Sequence, residues 1–468
     1  MGSVTDYVRR ARSTHLRQFQ ELLRIPSVST DSHHTQDVRR AAEWVRKRLK
    51  SAGCTKVALH KTPRHPIVYG EWLGARGAPT VLVYGHYDVQ PVDPLELWST
   101  PPFEPVVRNG KIFARGASDN KGQFLAHINA LEAHLQSQGC CPVNLKFLIE
   151  GEEEIGSPNL DSFVAKNLRR LACDVAVVSD SAMFAKGLPA ICYGLRGLAY
   201  FEVQVQGTDR DLHSGSFGGS VINPANALVS LLASLKDNQG RVAVPGFYEK
   251  VRRLRPSERK AFARLPHSDT RYKRAIGAPE LYGEVGYTTL ERIWARPTLD
   301  INGIWGGFTG EGAKTVIPAE AHAKISMRLV PDQTPQEIAR KIRAHFKKTA
   351  PRSVRVSLRE LHGGAAWLTP TDQPALEAAG RALERAFGRK PVLVREGGSI
   401  PIVADFDRRL KVPTVLMGLG LNDDNLHAPD EKMELNNFYG GIAASAFLME
   451  ELAAIPNGRG RPRRTKDR

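Results

Sequence analysis

Thr80-Val-Leu-Val-Tyr-Gly-His-Tyr-Asp88 reads as a short strand, apolar on both faces, that runs straight into two side chains able to bind or orient a metal ion. A continuous apolar run suits a strand covered on both sides, because alternation is needed only where one face meets water. Val143-Asn-Leu-Lys-Phe-Leu-Ile149, Asp174-Val-Ala-Val-Val-Ser179 and Pro413-Thr-Val-Leu-Met-Gly418 follow the same rule. Apolar residues at helical spacing fill Tyr7 to Leu23, Thr35 to Ala52 and Lys121 to Gln138. Strands alternating with helices predict an α/β fold with a mainly parallel sheet covered by helices.

The middle of the chain has another texture. Apolar residues alternate over Leu198–Gln206 and Ala321–Val330, each followed by a helical pattern, which predicts a smaller α+β two-layer domain with a one-sided antiparallel sheet. The buried-strand pattern returns at Lys390–Arg395 and Pro413–Gly418. The expected organisation is therefore a discontinuous metal-binding domain, 1–196 plus 366–455, an inserted dimerisation or lid domain, 197–365, and a disordered basic tail, 456–468.

Composition sets the outer limits. The 468 residues are 41% hydrophobic and 25% charged, and no apolar run approaches a bilayer-spanning length of ~20 residues, which argues against a membrane protein. The N-terminus shows no secretory pattern, so a cytoplasmic location is expected. Five cysteines without a C-x-x-C pair argue against a disulfide framework and a thiolate zinc site. The net charge of +17 invites a nucleic-acid reading, but Lys and Arg are dispersed, with one separate run at Arg459–Arg468. Solvated surface is the better reading.

Each apolar run leads to a candidate ligand. Gly85 is followed by His86-Tyr-Asp88, Ile149 by Glu150-Gly-Glu-Glu-Glu154, Ser179 by Asp180, and Gly418, after a short loop, by His427. Ligands of open parallel sheets collect beyond the carboxyl ends of the strands, so these groups can converge. Asp119, in a glycine-containing loop before the helix from Lys121, reads alone as an N-cap. His-x-Asp alone is more often a structural pair, and Glu-Glu-Glu a solvated turn. Together, oxygen and nitrogen donors without thiolate suit Zn²⁺, with Mn²⁺ or Co²⁺ as alternatives.

Tyr84-Gly-His-Tyr-Asp-Val-Gln-Pro-Val92, Trp98 with Pro101-Pro-Phe103, Gly116-Ala-Ser-Asp-Asn-Lys-Gly122 and Glu150-Gly-Glu-Glu-Glu-Ile-Gly-Ser157 together closely resemble the M20 family of metallopeptidases, in particular its carnosine-dipeptidase-like branch. The resemblance implies two divalent ions per subunit, one held by His86 and Asp180, the other by Glu153 and His427, with Asp119 bridging them and Asp88 orienting His86. It implies hydrolysis of dipeptides or small peptides by a water between the ions, with Glu152 as general base. In that family Asp rather than Glu at the place of Asp180 tends to accompany dipeptidases. Asp211-Leu-His-Ser-Gly-Ser-Phe-Gly-Gly219 is similar to the segment whose histidine acts across a homodimer interface, so His213 is a candidate oxyanion stabiliser. Arg328 is implied as the clamp on the substrate carboxylate, with Ser399, His362 and Thr315 as further substrate contacts.

Three other readings compete with this one. An N-acyl amino acid deacylase of the same superfamily would use the same metal site. A binding protein that had lost catalysis would not need to keep every ligand and the base. Serine hydrolysis through Ser399 or Ser214 lacks a G-x-S-x-G elbow and leaves the acidic clusters unexplained.

Overall fold

The four apolar runs lie as strands in one mixed nine-stranded sheet, seen in a computed structural model that describes residues 3–456. The expected tail lies, beyond Pro456, outside the described residues. Thr80–His86 is flanked by Asn144–Glu150 and Val175–Val178, both parallel to it, and Thr414–Leu416 runs parallel to Val175–Val178. Val83 stands opposite Phe147 and Val177. Lys56–His60 and Ile67–Trp72 extend one side antiparallel, with Ala190–Leu195 beyond Thr414–Leu416 on the other.

Because the central strands are parallel, their carboxyl ends share one rim. His86 is the last residue of its strand, the acidic run follows Glu150 directly, and Asp180 stands two residues past Val178. The helix Gly122–Gln138 packs close against Thr80–His86 at Gly85. A Cβ there would come within 2.5 Å of the Phe124 Cβ and 3.0 Å of the Asn120 Oδ1, so only glycine fits before His86. Leu435–Ala453 packs on Gly122–Gln138 and on Pro374–Phe387. Among the described residues no helix is long and apolar enough to cross a membrane.

The chain divides into two compact units. Among the described residues, one gathers 3–193, Thr369–Val394 and 405–456; the other is Gly194–Leu368 with Arg395–Ala404. In the second, four antiparallel strands lie in the order Thr298–Gly306, Glu320–Leu329, Gly197–Gln206, Arg355–Gly364. Alternation decides the faces: Phe201, Val203, Val205, Ile325 and Met327 meet Leu228, Leu231, Ile338, Ile342 and Phe346 from the helices Pro224–Ala233 and Pro335–Thr349. Both helices begin with proline behind a capping side chain, Asn223 on the Ala225 N–H and Thr334 on the Glu337 N–H. The opposite face carries Tyr200, Glu202, Lys324 and Arg328.

Phe201 is 1% exposed in this core, so Phe201→Ala should cost about 3–5 kcal/mol through lost transfer and the cavity left behind. Urea denaturation checks this; a loss below about 1 kcal/mol would show that the two layers do not meet there.

Candidate active site

Asp119 occupies the centre of the site. Its loop, Gly116 to Lys121, precedes the helix Gly122–Gln138, and Asp119 itself is non-helical, with φ −118° and ψ 90°. The helix has no side-chain N-cap, which sets aside the capping role as the reason for an aspartate here. One carboxylate oxygen of Asp119 lies 3.2 Å from the His86 Nε2, the other 3.0 Å from the His427 Nε2.

Two triads share Asp119. His86, Asp119 and Asp180 form one, and Asp119, Glu154 and His427 the other. The His86 Nε2 stands 3.6 Å from Asp180, and the His427 Nε2 3.4 Å from Glu154. For a tetrahedral ion with bonds of ~2.0–2.1 Å, neighbouring ligand atoms sit about 3.3 Å apart, so donors now in direct contact at 3.0–3.6 Å are spaced to accept a cation in each triad.

Second contacts fix the donors. The His86 Nδ1 faces the Asp88 backbone carbonyl at 3.1 Å and the Asp88 carboxylate at 3.4 Å, which keeps a proton on Nδ1 and turns Nε2 toward Asp119 and Asp180. The Asn120 amide donates to the Asp180 Oδ1 at 2.7 Å and to the Ser179 carbonyl. The buried Asp88 also accepts the backbone N–H groups of Glu153 and Glu154, so one carboxylate organises both an imidazole and the acidic turn.

The acidic run differs by one residue from the sequence expectation, in two respects. Glu154, not Glu153, joins Asp119 and His427. Glu152, expected as the base, turns away from the cluster: Oε1 accepts the Thr62 hydroxyl at 2.7 Å and the His65 N–H at 2.8 Å, and Oε2 the Asn159 amide at 2.7 Å. The cause is local geometry. The strand ends at Glu150, Gly151 and Glu152 break it, and a short 3₁₀ turn over Glu153–Ile155 points the next two carboxylates back toward the rim. Glu153 accepts no hydrogen bond at its carboxylate from the described residues. Three successive glutamates leave no sequence signal that separates these roles; the turn alone does.

The electrostatics are those of a site built for cations. Burial pushes the Glu153 and Glu154 carboxyls well above their ordinary range, reinforced by the other acids around them, including Asp119 and Asp88. Burial also raises Asp180, against the opposing pull of His86. Burial opposes charging of His86, but hydrogen bonds to Asp119, Asp180 and Asp88 outweigh it and raise its pKa well above the usual value. Asp119 is lowered in spite of its burial, because both imidazoles face it. The two imidazoles and surrounding carboxylates, with no cysteine in either triad, fit divalent zinc, manganese or cobalt.

The second unit holds the other candidates in two places. Arg328 and His362 lie on the strands flanking Gly197–Gln206, on its polar face, and the Arg328 guanidinium reaches the Ser399 hydroxyl at 3.4 Å. Burial lowers the His362 pKa, helped by the nearby Arg328 charge. His213 and Thr315 meet on a separate short ribbon, where Leu212–His213 pairs with Val316–Ile317 and the Ser214 N–H donates to the Thr315 carbonyl. The His213 Nδ1 accepts the N–H groups of Gly215 and Ser216, at 3.0 and 3.2 Å. Its proton therefore sits on Nε2, on an exposed ring.

Zinc binding to the ion-free protein at pH 7 should displace the protons that His86 and Glu154 retain above their ordinary pKa values. Calorimetry in buffers of different ionisation enthalpy measures this; a buffer-independent enthalpy would contradict it.

Residues 82–451 match peptidase family M20/M25/M40. The chain is 33% identical over 470 residues to the Cys-Gly metallodipeptidase dug1 of Schizosaccharomyces pombe, covering 97% of this chain and 99% of that protein. It is 34% identical over 443 residues to the human Beta-Ala-His dipeptidase, covering 93% of this chain and 86% of that protein. The solved structure of the di-peptidase Dug1p from Saccharomyces cerevisiae superimposes with a TM-score of 0.84 at 31% identity, covering 97% of this chain and 98% of that one. This chain thus belongs to peptidase family M20/M25/M40, with the mixed sheet and separate small antiparallel sheet of that fold.

Proposed function

We propose that this protein is a metallodipeptidase that hydrolyses dipeptides or small peptides, with His86 and Asp180 holding one divalent ion, Glu154 and His427 a second, and Asp119 between them. The observation that carries this is the Asp119 carboxylate, whose two oxygens face His86 and His427 separately, each with a further carboxylate in reach. The relatives named for Cys-Gly and β-Ala-His cleavage support a dipeptide as substrate. Two such ions, zinc best suited to the donors, would polarise the scissile carbonyl and lower the pKa of water to about 7.

Glu153 is the general base in this reading. Its carboxylate is unpaired among the described residues and adjoins the Glu154 ligand, whereas Glu152 already holds three donors. Glu153 takes one proton of the attacking water and delivers it to the leaving nitrogen, so the peptide C–N bond breaks to a carboxylic acid and an amine, and the acid's proton then passes to the amine, giving a carboxylate and an ammonium. Asp88 keeps the pair in place by holding the N–H groups of Glu153 and Glu154. Arg328 offers the substrate's terminal carboxylate a planar fork of donors, beside Ser399 and His362. His213 presents an Nε2–H donor to the oxyanion of a neighbouring subunit in a homodimer, with Thr315 beside it.

Glu153→Gln should keep both ions and lower kcat about 10²–10⁴-fold, the range of a lost acid–base group. A variant with near-native turnover would remove Glu153 from this role. Mixing inactive His213→Ala subunits with inactive Glu153→Gln subunits should restore part of the activity, because a heterodimer then contains one intact shared site. Absence of recovery in confirmed heterodimers would remove His213 from the neighbour's site.

A further inference from the structure

We infer that Glu431 and Asp424 are positioning residues that lock the Asp119 loop to the segment carrying His427, so that the ligands of both ion sites are assembled as one body; this rests on the two-ion reading above. Neither residue belongs to the ligand triads. Both are fully buried. The Glu431 Oε1 accepts the backbone N–H groups of Ser118 and Asp119, each at 3.0 Å. Its Oε2 accepts the Gly116 N–H at 2.8 Å and the Arg115 guanidinium at 2.9 Å. The Asp424 Oδ2 accepts the Ser118 hydroxyl at 2.9 Å and the Leu421 N–H at 2.7 Å, while its Oδ1 faces the Lys432 ammonium at 3.2 Å.

His427 lies between Asp424 and Glu431 in the chain. The segment that supplies one imidazole therefore grips the loop of the shared aspartate at the Gly116, Ser118 and Asp119 N–H groups and at the Ser118 hydroxyl. A buried carboxylate is tolerated only when its lone pairs are filled, and here backbone N–H groups fill most of those of Glu431. The dependence is mutual. Without the carboxylate these N–H groups are buried donors with no acceptor, and the loop must move to find water, taking Asp119 with it.

Glu431→Gln makes the conflict specific, since its new amide nitrogen must meet either the Ser118 and Asp119 N–H groups or those of Gly116 and Arg115. Outer contacts of this kind are worth 10–100-fold in metal affinity as an order of magnitude. The test compares the unmutated protein, Glu431→Gln and Ser118→Ala by Zn²⁺ affinity in chelator competition, by the visible spectrum of the Co²⁺-loaded protein, and by the melting temperature of the ion-free protein.

Glu431→Gln should bind Zn²⁺ 10–100-fold more weakly at both sites, with a changed Co²⁺ spectrum. Ser118→Ala, which removes only the hydroxyl contact, should weaken binding several-fold. Native Zn²⁺ affinity and Co²⁺ spectrum in both variants overturn the inference, even if the melting temperature falls. Should Glu431→Gln fail to fold, Ser118→Ala decides by the same criterion. Failure of the unmutated protein to bind two ions would instead overturn the two-ion reading itself.

Discussion

Like charge in a dry place governs this rim. Asp88, Asp119, Glu153, Glu154 and Asp180 cluster with two imidazoles at the end of a buried sheet, where each carboxylate loses hydration and repels the others. Such a group either holds protons or holds cations. Everything around it keeps the acids together against that repulsion: the His86 tautomer fixed by Asp88, the Asp180 oxygen held by Asn120, and the acidic turn tied down by its own backbone N–H groups.

The sheet is what makes this placement possible. Parallel strands deliver their ends to one rim, and the two-sided burial of Thr80–His86 fixes its neighbours without an exposed edge. A compact glycine at position 85 lets the helix from Gly122 approach, and the same approach brings Asn120 beside His86, where its Oδ1 faces the His86 N–H at 3.4 Å. Chemistry and packing are therefore not separable at this end of the molecule. The ligand loops are also the loops that close the core.

The parallel strands were legible because their signal is local: continuous apolar runs of Val, Leu and Ile differ from the alternating segments Gly197–Gln206 and Glu320–Leu329. The candidate donors His86, Asp180 and the Glu150–Glu154 run stood out for the same reason, each directly beyond such a run, whereas Asp119 sits in a loop before a helix. The placement of each side chain within Glu152-Glu-Glu154 was not legible, because three identical side chains differ only in the turn that aims them. Asp424 and Glu431 were equally hidden. Their partners lie about three hundred residues away in the sequence, and a buried carboxylate that binds backbone N–H groups has no residue-type signature at its partner. The first unit's boundary illustrates a third limit, since the short piece Arg395–Ala404 joins the second unit although it follows a buried-strand pattern.

If one aspartate serves two ions, Asp119 must lie between a pair of metal peaks. Anomalous X-ray scattering at the zinc edge, on crystals of the zinc-loaded protein, locates them. Two peaks should appear about 3.5–4 Å apart, one ringed by His86, Asp119 and Asp180, the other by Asp119, Glu154 and His427. A single peak, or a second ion bound through Glu152 or Glu153 in place of Glu154, would contradict that arrangement.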